Sequence, residues 1–159
     1  TNIIGTSNLT IACMEMGIKL IYFSTNYVYP LNNKSNKEDD PVLPINNYAF
    51  SKMGGECAVQ MYKNSLVLRI IMSERPFVHE GAFTDIKTNF LYHDEVIRLV
   101  PKIINSKGIL NVGGKTQSIY NFARLSKNNV KKLKAKKILK KKYFKNQLIN
   151  IDKLKLIIK

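Results

Sequence analysis

The sequence has few cysteines, no signal-peptide pattern and no long apolar run. The two cysteines, Cys13 and Cys57, lie far apart, and neither belongs to a Cys-x-x-Cys motif. We therefore expect buried, reduced thiols rather than a disulfide or a metal site. No apolar stretch approaches the roughly 20 residues that a membrane-spanning helix needs, and the first residues lack the basic-then-apolar pattern of a secretory signal. We expect a cytoplasmic protein with no membrane partner.

Acidic residues are also scarce, since 11 Asp and Glu oppose 26 Lys and Arg for a net charge of +15. The segment 127–159 is dominated by Lys, and Asp152 is its one acid. Such a segment could bind nucleic acid by neutralising phosphates. Lys is frequent along the whole chain, however, which favours a solvated surface. In this segment, aromatic residues that could stack on bases are confined to Tyr143 and Phe144.

The first part of the chain alternates between helical and strand patterns. With 159 residues, 45% of them hydrophobic, it fits one globular domain. A helical pattern with apolar Ile3, Ile4, Leu9, Ile11, Ala12 and Met16 ends at Gly17. The apolar run "IKLIYFST" then predicts a central strand that is buried on both faces. A helix from about Tyr48 to Lys63 and a strand "SLVLRIIM" follow, which predicts a parallel α/β sheet.

The second part of the chain is less regular. Residues 73–88 show no periodic pattern and predict a loop. "HDEVIRLVPKII" predicts a helix with Asp94 and Glu95 in its first turn, where a helix favours negative charge. "GILNVGG" predicts a short strand, and "TQSIYNFARLS" a helix that Thr116 or Ser118 would cap.

Three residues stand in a pattern that could carry chemistry: Thr25, Tyr48 and Lys52. A Tyr-x-x-x-Lys is expected about once by chance in this composition, so its context must decide. On a helix, Tyr48 and Lys52 share a face, and a nearby ammonium stabilises a phenolate. Thr25 ends a predicted strand, at the edge where open α/β sheets bind ligands. Thr25 could hydrogen-bond a carbonyl while Tyr48 supplies a proton.

The order of these segments resembles that of the extended short-chain dehydrogenases/reductases, and within them the dTDP-4-dehydrorhamnose reductase-like, sugar-nucleotide group. "NIIGTSNLTIACMEMGIKLIYFSTNYVY" resembles the helix and strand that lead to the family's Ser-Thr-Asp-Tyr-Val-Phe motif. "EDDPVLPINNYAFSKMGGE" resembles its Asn-x-Tyr-Gly-x-Ser-Lys segment. "LVLRI", "YHDEV", "ILNVGG", "SIYNFA" and the closing "INIDKLKLIIK" follow in the family's order.

The resemblance implies a nucleotide-sugar substrate, NADP or NAD as cofactor, and a role for each of the three residues. Thr25 would polarise the C4 carbonyl of the sugar, and Tyr48 would donate the proton. Lys52 would stabilise the phenolate and hold the nicotinamide ribose. It also implies that residues 1–126 are the C-terminal part of a reductase domain, followed by a Lys-rich segment at 127–159.

The sequence departs from the family at several positions. Asn26 and Ala49 replace the usual Asp and Gly, and "RIIMSERPF" lacks the Tyr-Gly-Pro that contributes sugar contacts. No Gly-x-x-Gly-x-x-Gly turn is present, and the pairs Gly54-Gly55 and Gly113-Gly114 do not replace it. We therefore expect a partial Rossmann-like sheet that lacks the N-terminal dinucleotide-binding half. It would expose an edge of "KLIYFST", self-associate there, and not bind dinucleotide alone.

Several single residues leave two interpretations open. Asn2 would face the cofactor or cap a helix, and Arg69 would pair with an acid near the sheet edge or contact a phosphate. The acidic run 38–40 would be solvated or hold a cation. His79 and His93 have no partner at catalytic spacing.

Two alternative functions also remain open. The chain could be a non-catalytic binding or regulatory relative of the reductases, or a basic nucleic-acid-binding module.

Overall fold

A computed structural model describes residues 1–139, 146 and 148–159. The helices are α1 Ile4–Glu15, α2 Asn47–Gln60, α3 His93–Ile103, α4 Ile119–Arg124, α5 Ala135–Ile138 and α6 Asp152–Ile158. The strands are β1 Leu20–Thr25, β2 Ser35–Asn36, β3 Ser65–Ile70, β4 Met72–Ser73, β5 Gly81–Phe83, β6 Lys87–Thr88, β7 Leu91–Tyr92, β8 Gly108–Val112, β9 Gln117–Ser118, β10 Lys131–Leu133 and β11 Leu148–Ile149. No helix in these ranges is long and apolar enough to cross a membrane.

A three-stranded parallel sheet with helices on both faces organises the molecule. Its order is β1-β3-β8, so β3 is the central strand. On one face, Val67 of β3 packs with Val59 of α2 and Cys13 of α1. On the other face, Leu66 and Leu68 of β3 belong to a cluster that includes side chains of α3 and α6. The predicted parallel α/β sheet is confirmed.

The prediction that β1 is a central strand is wrong, because β1 lies at the edge of this sheet. Within the described residues, β1 pairs only with β3. The Phe23 side chain remains 43% exposed, whereas all six residues of β3 are buried. The expected edge without neighbours is therefore present at β1.

Helix α1 was predicted correctly as an element, but its apolar residues do not form the buried side. Gly17, with φ +66, follows the helix in a left-handed conformation that suits glycine. Ile4 and Leu9 are 74% and 54% exposed, while Thr10 and Cys13 are buried. Only a narrow stripe of α1 touches the rest of the fold, so most of its apolar surface faces outward.

The cysteine prediction is half correct. Cys13 and Cys57 are both free thiols, and Cys13 is buried. Cys57 is exposed, because it lies on the outer side of α2, away from the buried Glu56 and Val59.

Residues 73–88 are not simply a loop, as was predicted. They contain β5 and β6, which pair with the distant strands β10 and β9. These strands and helix α4 form a second region of the fold. An aromatic cluster that includes Phe77, Tyr92 and Phe122 forms its core. The pairing partners are far away in the sequence, so no local pattern revealed these strands.

Parts of the Lys-rich segment 127–159 belong to the folded core. Leu154 of α6 is buried against α3 and β8, and Ile149 of β11 is buried beside Val28 and Ile71. Tyr143 and Phe144, the residues considered for base stacking, lie outside the described residues. The division of the chain at residue 126 stays a prediction.

Candidate active site

Thr25 is the last residue of β1 and begins the turn that follows it. Its backbone is extended, and its hydroxyl oxygen accepts a hydrogen bond from the Tyr27 backbone N–H at 3.2 Å. This bond caps the 3-10 turn Asn26–Val28. Because the hydroxyl accepts here, its own proton remains available for donation to a carbonyl oxygen.

Tyr48 lies in the first turn of α2, which begins beside the C-terminal end of β1. Asn46 caps this helix, with its side-chain oxygen accepting from the Ala49 N–H at 2.8 Å. Ala49 is fully buried, whereas Tyr48 is 53% exposed. The phenol ring is thus presented to the outside by a helix turn that is fixed to the body of the fold.

Lys52 is one helical turn further along α2 and is half-buried. Its Nζ atom lies 4.1 Å from the centre of the Tyr22 ring, a cation–π contact. The Tyr22 hydroxyl donates to the Lys52 backbone carbonyl at 3.1 Å, which ties β1 to α2. Burial lowers the pKa of Lys52, and the nearby Glu56 carboxylate opposes that shift.

The pair Gly54-Gly55 permits close packing of α2 and does not form a phosphate turn. A Cβ atom on Gly55 would lie 2.3 Å from the Tyr22 hydroxyl oxygen and 2.8 Å from the Asn2 carbonyl oxygen. The Asn2 side chain donates to the Ser51 hydroxyl at 3.0 Å. Its predicted role as a helix cap is wrong, because Ile3 occupies the N-cap position of α1.

A buried ion pair lies directly beneath this turn of α2. Arg69 contacts both carboxylate oxygens of Glu56, through Nη2 at 2.9 Å and Nε at 3.2 Å. Glu56 also accepts from the Ser24 hydroxyl at 2.5 Å. Burial would lower the pKa of Arg69, but hydrogen bonds to Glu56 and its charge raise it. The predicted pairing of Arg69 is confirmed, although on the central strand rather than near the sheet edge.

The ion pair continues into a wider polar network. Arg69 donates from Nη1 to the Tyr29 hydroxyl at 2.9 Å, and Tyr29 donates to the Asn111 side-chain oxygen at 2.9 Å. The strand register places Ser24, Arg69 and Asn111 in one row across β1, β3 and β8. In the sequence, each of these three apolar strands carries a polar or charged residue near its C-terminal end. That pattern could have predicted the row.

An apolar cavity of about 610 Å³ lies next to the candidate residues. Tyr27, two residues after Thr25, lines it together with Phe77, Phe83, Phe90 and Leu133. Burial raises the pKa of Tyr27, and the neighbouring Tyr48 contributes to the same shift. The cavity therefore extends from the turn after β1 into the second region of the fold.

Two acids of the run 38–40 form structural hydrogen bonds, one to a distant strand and one within the run's own turn. Glu38 accepts from the Asn111 backbone N–H at 3.0 Å, and Asp40 accepts from the Lys37 N–H at 2.8 Å. Nowhere in residues 1–139, 146 and 148–159 do three or more His, Cys, Asp or Glu side chains form a group that could hold a metal ion. His79 packs edge-on against the Phe77 ring at 5.4 Å, and His93 begins α3.

The structure thus places Tyr48 and Lys52 on a helix that packs against β1 and the turn after Thr25. The convergence of the Thr25 hydroxyl, the Tyr48 phenol and the Lys52 ammonium on one cleft stays a prediction.

Residues 1–73 match the family model described as the RmlD substrate binding domain. No curated protein sequence matches the chain significantly. The matched residues include β1, α2 and all three candidate residues. The match confirms the predicted resemblance for this segment.

Solved structures extend the likeness to the whole fold. The chain is 21% identical to a dTDP-4-dehydrorhamnose reductase from Bacillus anthracis in complex with NADP, with a TM-score of 0.77. It is 19% identical to the corresponding reductase from Yersinia enterocolitica, with a TM-score of 0.74. Each alignment covers 98% of this chain and 65% of the other.

The fold is shared with epimerases as well. A UDP-glucuronic acid 4-epimerase from Bacillus cereus in complex with NAD is 20% identical, with a TM-score of 0.74, and the alignment covers 99% of this chain and 61% of the epimerase. The fold is therefore that of Rossmann-like sugar-nucleotide reductases and epimerases, and the chain spans about two thirds of their length.

Proposed function

We propose that the chain is the C-terminal portion of an NAD(P)-dependent reductase that acts on a nucleotide-linked 4-keto sugar. The observation that carries this proposal is the first turn and a half of α2. There the exposed Tyr48 and the half-buried Lys52 lie one turn apart on a helix that is packed against the end of β1. This spacing puts both side chains on one face of the helix, where a lysine can assist a tyrosine that acts as a general acid.

Each of the three residues has a task in the reduction step. The Thr25 hydroxyl donates a hydrogen bond to the C4 carbonyl oxygen of the sugar, because its oxygen is already engaged by Tyr27. Tyr48 transfers its phenolic proton to that oxygen as the carbonyl is reduced. The Lys52 ammonium stabilises the resulting phenolate through its positive charge.

The described residues fit one end of a nicotinamide cofactor. Lys52 is held on the Tyr22 ring beside an open surface, so its ammonium could bind ribose hydroxyls. The cofactor would supply the hydride when bound. The glycine turn that would hold its pyrophosphate does not occur in these 159 residues. We therefore expect no measurable dinucleotide affinity for residues 1–159 alone, and tight NADPH binding by them would contradict this expectation.

The apolar cavity beside Tyr27 supports the assignment of the substrate. Its volume of about 610 Å³ and its aromatic lining suit a base or a sugar ring. The absence of Tyr-Gly-Pro after β3 is compatible with this location, because the lining comes instead from later residues such as Phe77 and Phe90.

The test is the steady-state reduction of a nucleotide-linked 4-keto sugar by the natural protein that contains this chain. Tyr48→Phe removes one hydroxyl, and we expect kcat to fall about 10²- to 10⁴-fold with little change in KM. Thr25→Val should lower kcat, and Lys52→Ala should impair both kcat and cofactor binding. Tyr62→Phe, beyond the end of α2, is the matched control. A fully active Tyr48→Phe variant would remove the proposed proton donor.

A non-catalytic, regulatory relative is the second candidate. The observations that favour it are the departures from the family's motifs at Asn26, at Ala49 and in "RIIMSERPF". Turnover distinguishes the two candidates, since such a relative would bind the nucleotide sugar in an equilibrium assay but would not reduce it when NADPH or NADH is present.

A further inference from the structure

A second cavity, lined by four lysines, lies away from the candidate active site. Its volume is about 740 Å³, and Lys87, Lys115, Lys132 and Lys134 line it. It shares no lining residue with the apolar cavity beside Tyr27. None of the three candidate catalytic residues lines it.

The strand pairing of the second region brings these lysines together from three separate segments. Lys87 is in β6, which pairs antiparallel with β9, and Lys115 precedes β9. Lys132 is in β10, which pairs with β5. Side chains alternate along a strand, so Lys132 and Lys134 face the basic cavity while Leu133 faces the apolar one.

The described residues around this cavity offset only a small part of its charge. In the part of the chain that the structure describes, no ion pair involves any of the four lysines, and no acid lines the cavity. Asp85 follows the lining residue Thr84, and its carboxylate accepts from the backbone N–H groups of Ala135 at 2.8 Å and Lys136 at 3.3 Å. Desolvation would raise the pKa of Asp85, but these hydrogen bonds and the charge of Lys134 lower it, so Asp85 offsets part of the charge of Lys134. Four ammonium groups around one concave surface repel each other unless an anion lies between them.

The remaining lining suits a phosphate-rich ligand. Thr84, Thr116 and Ser118 contribute hydroxyl groups, which donate hydrogen bonds to phosphate oxygens. The Lys132 ammonium lies 5.5 Å from the centre of the Tyr120 ring, a cation–π contact that orients it at the cavity.

We propose that this basic cavity binds a polyphosphate group, either as a free chain or as the tail of a nucleoside triphosphate. Lysine binds phosphate as a point charge, and several lysines around one hollow match several linked phosphates better than one. A nucleic acid fits less well, because single-strand binding needs successive aromatic platforms and, among the described residues of the lining, Tyr120 is the one aromatic.

Titration calorimetry with inorganic tripolyphosphate tests this proposal on the chain itself. We expect the variant Lys87→Gln/Lys132→Gln to bind about tenfold more weakly or worse, because each lysine supplies a charge-assisted bond. The matched control, Lys63→Gln/Lys102→Gln, removes the same charge from exposed positions outside the cavity, and should change the affinity less than about twofold. Circular dichroism should show that both variants fold.

Three outcomes would overturn the proposal. Equal losses in the two double variants would assign the binding to the overall net charge. Inorganic monophosphate binding as tightly as tripolyphosphate would exclude a site for linked phosphates. A DNA duplex that displaces tripolyphosphate and depends on the same lysines would make the cavity a nucleic-acid site. Stronger binding of a nucleoside triphosphate than of tripolyphosphate would support the nucleotide source, and equal binding would support the free chain.

Discussion

The strands β1 and β3 have similar sequences but different surroundings. Both are short apolar runs with polar or charged residues near their ends: "LIYFST" ends with Ser24 and Thr25, and "SLVLRI" carries Arg69 just before its last residue. β3 is paired on both sides and fully buried, while β1 is paired on one side and leaves Phe23 43% exposed. Hydrophobicity therefore identifies a strand of this kind, but the presence of neighbours decides how much of its surface is buried.

The two faces of β1 also differ in how far their side chains are buried. Tyr22 and Ser24 point toward α2, where they contact Lys52 and Glu56. Phe23 lies on the opposite face, at the sheet edge. β1 therefore matches β3 in burial on its α2 side only, and that is the side that supports the candidate site.

The largest effect should come from breaking the ion pair that anchors β3 to α2. Arg69→Met leaves the Glu56 carboxylate buried without its partner, so we expect a loss of about 3–5 kcal/mol in the free energy of unfolding. Arg98→Met is the matched control. It breaks a pair with Asp94 whose side chains are 68% and 42% exposed, and should cost about 0.5 kcal/mol. Urea unfolding followed by circular dichroism measures both losses. Similar losses for Arg69→Met and Arg98→Met would contradict the burial of the ion pair between Arg69 and Glu56.

A smaller loss in the free energy of unfolding should appear at alkaline pH. Its size reports how far the α2 side of β1 is shielded from solvent. Burial raises the pKa values of Tyr22 and Tyr29. Their contribution to stability is therefore present below about pH 10 and is lost as the pH rises through the folded pKa values, at about 1.4 kcal/mol per pH unit for each tyrosine. Lys52 acts with the opposite sign, because its lowered pKa makes folding more favourable as the pH approaches about 10.5.

Urea unfolding as a function of pH, together with the absorbance of tyrosinate, measures this loss. Tyr22→Phe should make the alkaline decline less steep, and Tyr62→Phe is the matched control outside this contact. A decline that Tyr22→Phe does not change would show that the Tyr22 phenol is open to solvent in the folded state.

The smallest effect on stability should come from the outward side of α1. Leu9→Gln/Ile11→Gln changes two exposed residues, so we expect a change below about 0.5 kcal/mol in the free energy of unfolding. The same variant should weaken self-association of the isolated chain, because exposed apolar surface and a strand edge that has no partner among the described residues favour contact between copies. Sedimentation velocity over a range of concentrations measures this association.

Ile97→Gln is the control for that experiment, since Ile97 is 69% exposed on α3, on the other face of the sheet. Equal effects of the two variants would show that the association does not involve the α1 side.

The elements that were predicted correctly depend on local signals. The Asp94 and Glu95 pair at the start of α3 and the Ser118 cap of α4 both lie within one turn of the residues that they affect. Tyr48 and Lys52 could also be selected as candidates from the sequence, because they are one helical turn apart. The buried network was missed because Ser24, Glu56, Arg69 and Asn111 come from four separate elements.

The sequence by itself determined where the helices and strands of the main sheet lie, since periodicity, caps and glycine act over a few residues. Only the tertiary structure decided which of those surfaces are covered. Leu68 and Leu9 have the same side chain, yet Leu68 is fully buried and Leu9 is 54% exposed. The reason is that burial depends on neighbours brought from distant parts of the chain, which no local pattern encodes.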